Sequence, residues 1–157
     1  AKGGAALLEA DAIALLKERL ISRAALVTPN IPEAEHLARI SIATVHDMRQ
    51  AAERILDLGA RAVLLKGGHL EGDIVTDLLI TADTYHEFRQ PRIATPHTHG
   101  TGCALASAAA AGLAQGMALI DAVTRARTYV IQAIATAPGL GKGHGPLGHF
   151  DAVIGEN

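Results

Sequence analysis

Helical and strand-like patterns alternate along this chain, which predicts an α/β fold with a parallel sheet. Three observations carry the prediction. Amphipathic stretches of helical period are separated by short apolar runs such as Ala24–Val27 and Ala62–Leu65. The composition is 49% hydrophobic, yet the only aromatics are Tyr85, Phe88, Tyr129 and Phe150, so the core is built from Ala, Leu, Val and Ile. That suits helices packed closely on a mostly parallel sheet. Finally, glycine or proline turns follow the apolar runs, as at Pro29 and at Gly67-Gly68. In open α/β sheets the strand ends carry ligands.

The elements follow in order. Leu7 to Ile21 reads as an amphipathic helix, with Leu8, Ile13, Leu15, Leu16 and Leu20 opposite Glu9, Lys17, Glu18 and Arg19. Ala24–Val27 is a short strand stopped by Thr28-Pro29-Asn30-Ile31-Pro32, and Pro32 suits the first turn of a helix carrying Glu33 to Ala38. Asp47 to Leu58 is a helix with Met48, Ile55 and Leu58 inward and Gly59 at its end. Ala62–Leu65 is a buried strand. Asp73–Thr81 and Thr84–Arg89 form a hairpin turning at Ala82-Asp83. Thr101–Gln115 is a helix stopped by Gly116, and Leu119–Thr136 is the last helix, ended by Pro138-Gly139. The Gly-rich tail Leu140–His149 is expected on the surface.

Length and charge narrow the function. A chain of 157 residues suggests one domain. The net charge of −2, with no basic cluster, argues against a nucleic-acid partner. No apolar run reaches the ~18 residues a membrane helix needs, and no signal peptide is visible. The single Cys103 cannot form an internal disulfide, which fits a reducing cytoplasm. The chain opens with Ala1-Lys2-Gly3-Gly4 and no Met, as a piece of a longer protein would.

The chemistry concentrates in Thr98-His99-Gly100-Thr101-Gly102-Cys103, a glycine-rich turn running into an Ala-rich helix. The first helical amides lack intrahelical partners, the glycines let a ligand approach, and the helix dipole favours an anion there. A cysteine at that positive end is placed as a reactive thiol. The alternative is a plain entry turn with Cys103 a small buried hydrophobe. The motif is not a Rossmann fingerprint, because Leu105 stands where the third glycine belongs. Asn30 and Glu33 put an amide and a carboxylate on one side of a first helical turn, suited to a hydrated Mg²⁺ near phosphate or simply to a helix start. Lys66 with Gly67-Gly68 ends a strand and suits phosphate, or is a charged strand end. All three features follow strands, where one edge would collect them. Among eight histidines, His97 and His99 alternate, and His144 and His149 lie in the tail; no second cysteine or acidic cluster supports a zinc site. A thiol nucleophile paired with His97 or His99 is a further possibility.

Thr28-Pro29-Asn30 with Glu33, Leu65-Lys66-Gly67-Gly68-His69, Thr98-His99-Gly100-Thr101-Gly102-Cys103 and the tail Gly143-His144-Gly145-Pro146-Leu147-Gly148-His149, in that order, resemble the hydroxymethylpyrimidine/phosphomethylpyrimidine kinases of thiamine biosynthesis. The resemblance covers nearly the whole chain and implies a ribokinase-like three-layer α/β/α sandwich. It implies ATP and Mg²⁺ as cofactors, transfer of the γ-phosphoryl group to hydroxymethylpyrimidine and then to its monophosphate, and a cytoplasmic, often homo-oligomeric enzyme. By the same resemblance Gly100, Thr101 and Gly102 form the anion hole with Cys103 at its end, where many relatives carry Asp. Lys66, Gly68, Asn30 and Thr98 lie on the nucleotide side, and Glu33 with Asn30 serves Mg²⁺ through water. Ala104 stands where the family usually has Thr or Ser, and His97 where Asn is common. The family's N-terminal Gly-Ser-Asp-x-x-Gly-Gly-Ala-Gly segment and its Asp-Pro-Val-Met motif are not in this sequence. Residues 1–157 therefore read as the C-terminal portion of one kinase domain, an incomplete sandwich holding the ATP half and expected to be inactive by itself. The rival readings are a pyridoxal kinase of the same superfamily, a Cys/His thiol enzyme, and a non-catalytic fragment that associates with a partner chain.

Overall fold

The computed structural model describes residues 10–150 and Ala152. The chain divides into two units, Ala1–Arg92 and Ile93–Asn157. In the first, α1 (Ala10–Leu15) gives way to a π-helical turn, Leu16–Leu20, and a 3₁₀ turn, Ile21–Arg23. The uniform helix expected to Ile21 is thus interrupted, and its start at Leu7 to Glu9 lies outside the described residues. The break coincides with competing ties. The Ser22 hydroxyl donates to the Glu18 carbonyl at 3.1 Å. Lys17 Nζ donates to the His36 and Leu37 carbonyls, each at 3.1 Å. Gly59, with φ +99°, packs against this turn; a Cβ there would lie 3.1 Å from that of Ser22.

Two capping boxes start the next helices. α2 (Ile31–Ala38) is capped by Asn30 and Glu33, and α3 (Val45–Leu56) by Thr44 and Asp47. α3 begins two residues before the expected Asp47 because Asp47 is the third helical residue, whose carboxylate reaches back to the cap. α3 buries Met48, Ala51, Ala52 and Ile55 against β1 (Ala62–Leu65), which is buried throughout, and the buried Leu78 and Ile80 of β2 (Ile74–Thr81).

The sheet departs from the parallel arrangement expected. β1, β2 and β3 (Tyr85–Pro91) form an antiparallel sheet in that order, with Leu65 opposite Leu78 and Ile80 opposite Tyr85. The short Lys66–Asp73 link cannot make the crossover that a parallel pair needs. Parallel pairing survives beside β1, where Val27 bridges Val63 and Asn30 bridges Lys66. Ala24–Val27 forms no continuous strand there. Val27 donates to the Ala62 carbonyl and receives the Leu64 amide, but Pro29, next in the ladder, has no N–H and only accepts from Lys66.

The second unit is a helix pair with a tail. α4 (Thr101–Ala114) and α5 (Leu119–Ala135) pack where Gly112 removes a side chain; a Cβ on it would lie 2.9 Å from the Cβ of Ala122. The tail is not wholly superficial. Gly145, Leu147 and Gly148 are buried, and Leu147 clusters with Ala133 and Ala152.

Candidate active site

In the second unit the backbone builds an open helix start. Gly100 caps α4 in the left-handed region, φ 89°, which glycine adopts without strain. The first intrahelical bond runs from the Ala104 amide to the Gly100 carbonyl at 2.9 Å. The amides of Thr101, Gly102 and Cys103 precede that ladder. The Thr101 hydroxyl donates instead to the Thr98 carbonyl at 3.2 Å and caps nothing. α2, α3 and α5 each hold an acid in the first turn, Glu33, Asp47 and Asp121, whereas α4 has none and no side-chain cap. Its N-terminal positive end thus has no acid in its own first turn to offset it. Cys103 is exposed there, which removes the buried-hydrophobe alternative.

The tail crosses this turn as a strap. The His99 amide donates to the Gly145 carbonyl at 3.4 Å, and His99 bridges Pro146. His144 Nδ1 lies 3.0 Å from the Pro96 carbonyl. The Gly148 amide donates to Ala133 at 2.8 Å, and the Tyr129 hydroxyl meets His149 Nδ1 at 2.6 Å. His97 lies beneath it: a Cβ on Gly145 would sit 2.3 Å from His97 Nδ1. Its tail partners give His97 a packing role, one that spacing along the chain did not indicate.

In the first unit Asn30, Glu33 and Lys66 come together. Asn30 bridges Lys66, whose amide donates to Pro29 at 2.9 Å. Asn30 Oδ1 accepts the Glu33 amide at 2.9 Å, and Glu33 Oε2 accepts the Asn30 amide at 2.8 Å. The pair thus starts α2, as the alternative reading had it, and the Asn30 amide oxygen is already engaged. Glu33 remains exposed with Oε1 outside the capping box, so one carboxylate oxygen fits a hydrated Mg²⁺, which takes few protein ligands. Among the described residues no group of three His, Cys, Asp or Glu side chains is gathered for a metal.

The two glycines after Lys66 differ. A Cβ on Gly67 would meet the Thr76 carbonyl oxygen at 1.9 Å, so this glycine is demanded by packing. A Cβ on Gly68 would meet nothing within 4 Å. The Gly67 amide donates to Oδ1 of Asp77 at 3.0 Å. Asp77 is 7% exposed, and its signal was legible as the lone acid within Ile74–Ile80.

A model of the phosphomethylpyrimidine kinase family matches residues 1–148. The chain belongs to that family. It is 52% identical over 153 residues to the thiamine biosynthesis bifunctional protein of Geobacter sulfurreducens, covering 98% of this chain and 31% of that protein. It is 44% identical to the hydroxymethylpyrimidine/phosphomethylpyrimidine kinase of Bacillus subtilis, covering 96% and 56%. Among solved structures, a phosphomethylpyrimidine kinase from Clostridium difficile superposes with TM-score 0.73 at 37% identity, over 85% of this chain and 53% of that one. A Staphylococcus aureus pyridoxal kinase in complex with AMP-PCP and pyridoxal superposes with TM-score 0.89 at 31% identity, over 94% and 55%. The fold is thus an incomplete ribokinase-like α/β fold. The chain spans about half the length of the hydroxymethylpyrimidine/phosphomethylpyrimidine kinases it matches, as with the Bacillus subtilis relative at 56%. Among the described residues no helix is long and apolar enough to cross a membrane.

Proposed function

We propose that the protein carrying this chain phosphorylates hydroxymethylpyrimidine and its monophosphate with ATP, in the cytosol, for thiamine biosynthesis. Residues 1–157 serve as the C-terminal, ATP-side portion of a single kinase domain. The observation that carries the reading is the uncapped start of α4. The Thr101, Gly102 and Cys103 amides precede the helical ladder, Cys103 is exposed, and α4 has no first-turn acid, in a chain of the phosphomethylpyrimidine kinase family.

Phosphoryl transfer asks the protein mainly for positioning and charge stabilisation. The Thr101, Gly102 and Cys103 amides stabilise negative charge developing on the transferred group, with Gly100 shaping the turn before them. Cys103 accepts or orients the proton of the attacking hydroxyl. Lys66 pairs with nucleotide phosphates, and Gly68, Asn30 and Thr98 are the further residues assigned to the nucleotide. Glu33 would hold Mg²⁺ through water, and the ion would supply charge neutralisation for the phosphates there.

The pyridoxal kinase among the structural relatives makes pyridoxal the competing acceptor. The test is ADP release from ATP by the protein with hydroxymethylpyrimidine, its monophosphate or pyridoxal. Higher kcat/KM on the two pyrimidines is expected. A preference for pyridoxal, or no ADP release with any acceptor, overturns the proposal.

A further inference from the structure

The loop after Lys66 is held by a residue from the far end of the hairpin. Arg92 Nε donates to the Gly72 carbonyl at 2.7 Å, Nη1 to the Gly68 carbonyl at 3.0 Å and Nη2 to the Leu70 carbonyl. Its own amide donates to the Asp73 carbonyl at 2.7 Å. One planar guanidinium thus gathers three alternate carbonyls of a loop with few other ties. Gly68 has open space where a side chain would be, and Gly72 adopts φ +112°. Leu70 alone packs on the core cluster.

The peptide plane turns this tie into an orientation. Among the described residues there are no cis peptide bonds, so in this loop each N–H points opposite the carbonyl of its own peptide group. Drawing the Gly68, Leu70 and Gly72 carbonyls to Arg92 turns the His69, Glu71 and Asp73 amides to the opposite side. An Arg at this position has the fixed fork of donors the task needs; a lysine ammonium is a point donor on a flexible stem.

We propose that Arg92 is a positioning residue for nucleotide binding, fixing the Gly68–Gly72 loop so that its amides face the phosphates alongside Lys66. The inference rests on the kinase reading above and adds a residue the motif pattern did not single out.

The experiment compares wild type, Arg92→Ala and Arg92→Lys in the full-length protein that carries this chain. Amide hydrogen exchange at Leu70 and Arg92, whose amides donate to the Gly67 and Asp73 carbonyls, reports the order of the loop without catalysis. It is expected to quicken about tenfold in Arg92→Ala, the scale of losing charged hydrogen bonds, and less in Arg92→Lys. KM for ATP is expected to rise about tenfold in Arg92→Ala, while KM for hydroxymethylpyrimidine stays within about twofold. Added guanidinium ion is expected to recover part of the ATP affinity of Arg92→Ala. Unchanged loop exchange overturns the tie. Faster exchange with an unmoved KM for ATP leaves Arg92 a structural clasp and overturns its nucleotide role. Failure of the kinase reading is separately visible, because wild type itself would then show no ATP-dependent turnover; the nucleotide role would fall with it. Should Arg92→Ala not fold, Arg92→Lys decides by the same two readouts.

Discussion

Two adjacent glycines, given the same substitution, are expected to fail in different ways. In Gly67→Ala the new methyl would sit 1.9 Å from the Thr76 carbonyl oxygen and 3.2 Å from Met48 Cε. The carbonyl belongs to β2 and cannot move without opening the sheet. Overpacking of this kind costs about 1–3 kcal/mol or more. A shift of the loop also lengthens the Gly67 amide bond to the buried Asp77, where an unmade bond costs about 1–3 kcal/mol. The expected loss is about 2–6 kcal/mol, enough to unfold a protein of ordinary stability. Gly68→Ala meets nothing within 4 Å, so stability should change by no more than about 0.5 kcal/mol. Its methyl would instead fill space expected to receive phosphate, so KM for ATP should rise about tenfold, the scale of one lost close contact. Urea unfolding gives the first quantity and initial rates against ATP the second. A Gly67→Ala protein of wild-type stability would refute the packing argument. A Gly68→Ala enzyme with wild-type KM for ATP would remove this loop from the nucleotide site.

Three further outcomes are expected. Cys103→Ala should lower kcat far more than it raises KM for ATP, and phosphate should slow iodoacetamide labelling of Cys103; equal labelling with and without phosphate would separate the thiol from the anion site. Glu33→Gln keeps an acceptor for the Asn30 amide and should leave stability nearly unchanged while raising the Mg²⁺ needed for turnover. Glu33→Ala should lose in addition about 0.5–1 kcal/mol of helix-start stability, and a normal Mg²⁺ requirement in both would leave Glu33 a capping residue only. The Tyr85 hydroxyl is pushed up to about 12, first by burial, then by its hydrogen bond to Glu87 and that carboxylate's charge, with Arg49 opposing. Its contribution to stability is therefore full below pH 10 and lost as pH rises to 12, and ultraviolet titration of Tyr129→Phe should show a midpoint near 12. An ordinary midpoint of about 10 would contradict the hydrogen bond from Tyr85 to Glu87.

The candidate site was legible to different depths. Gly100 could be read because a left-handed entry to a helix nearly requires glycine, and structure and sequence agree on Thr101 as the first helical residue. Asn30 and Glu33 could be read as a pair, but their mutual capping bonds are a matter of cap geometry that residue types alone leave open. Gly67 and Gly68 look identical in sequence, and only the neighbouring β2 carbonyl separates them. Asp77 was missed, although an acid within the apolar run Ile74–Ile80 is a signal that could have found it. Arg92 gave no local signal, because its partners lie 20 to 24 residues back in the chain; His97 was read as a possible partner of the thiol, and its packing beneath Gly145 was not legible.

The sequence by itself determined the α/β class, the hairpin, four helices and the family, since these rest on local periodicity, turn residues and ordered motifs. It did not determine how the strands pair. The short link after β1 makes β2 return antiparallel, and Pro29 breaks the parallel ladder beside β1 into isolated bridges. It likewise left open that the Gly-rich tail is strapped to the Pro96–His99 turn, and that one guanidinium gathers the loop after Lys66. These are contacts between segments distant in sequence. They depend on where backbone carbonyls stand in space, which no pattern of side-chain types along the chain records.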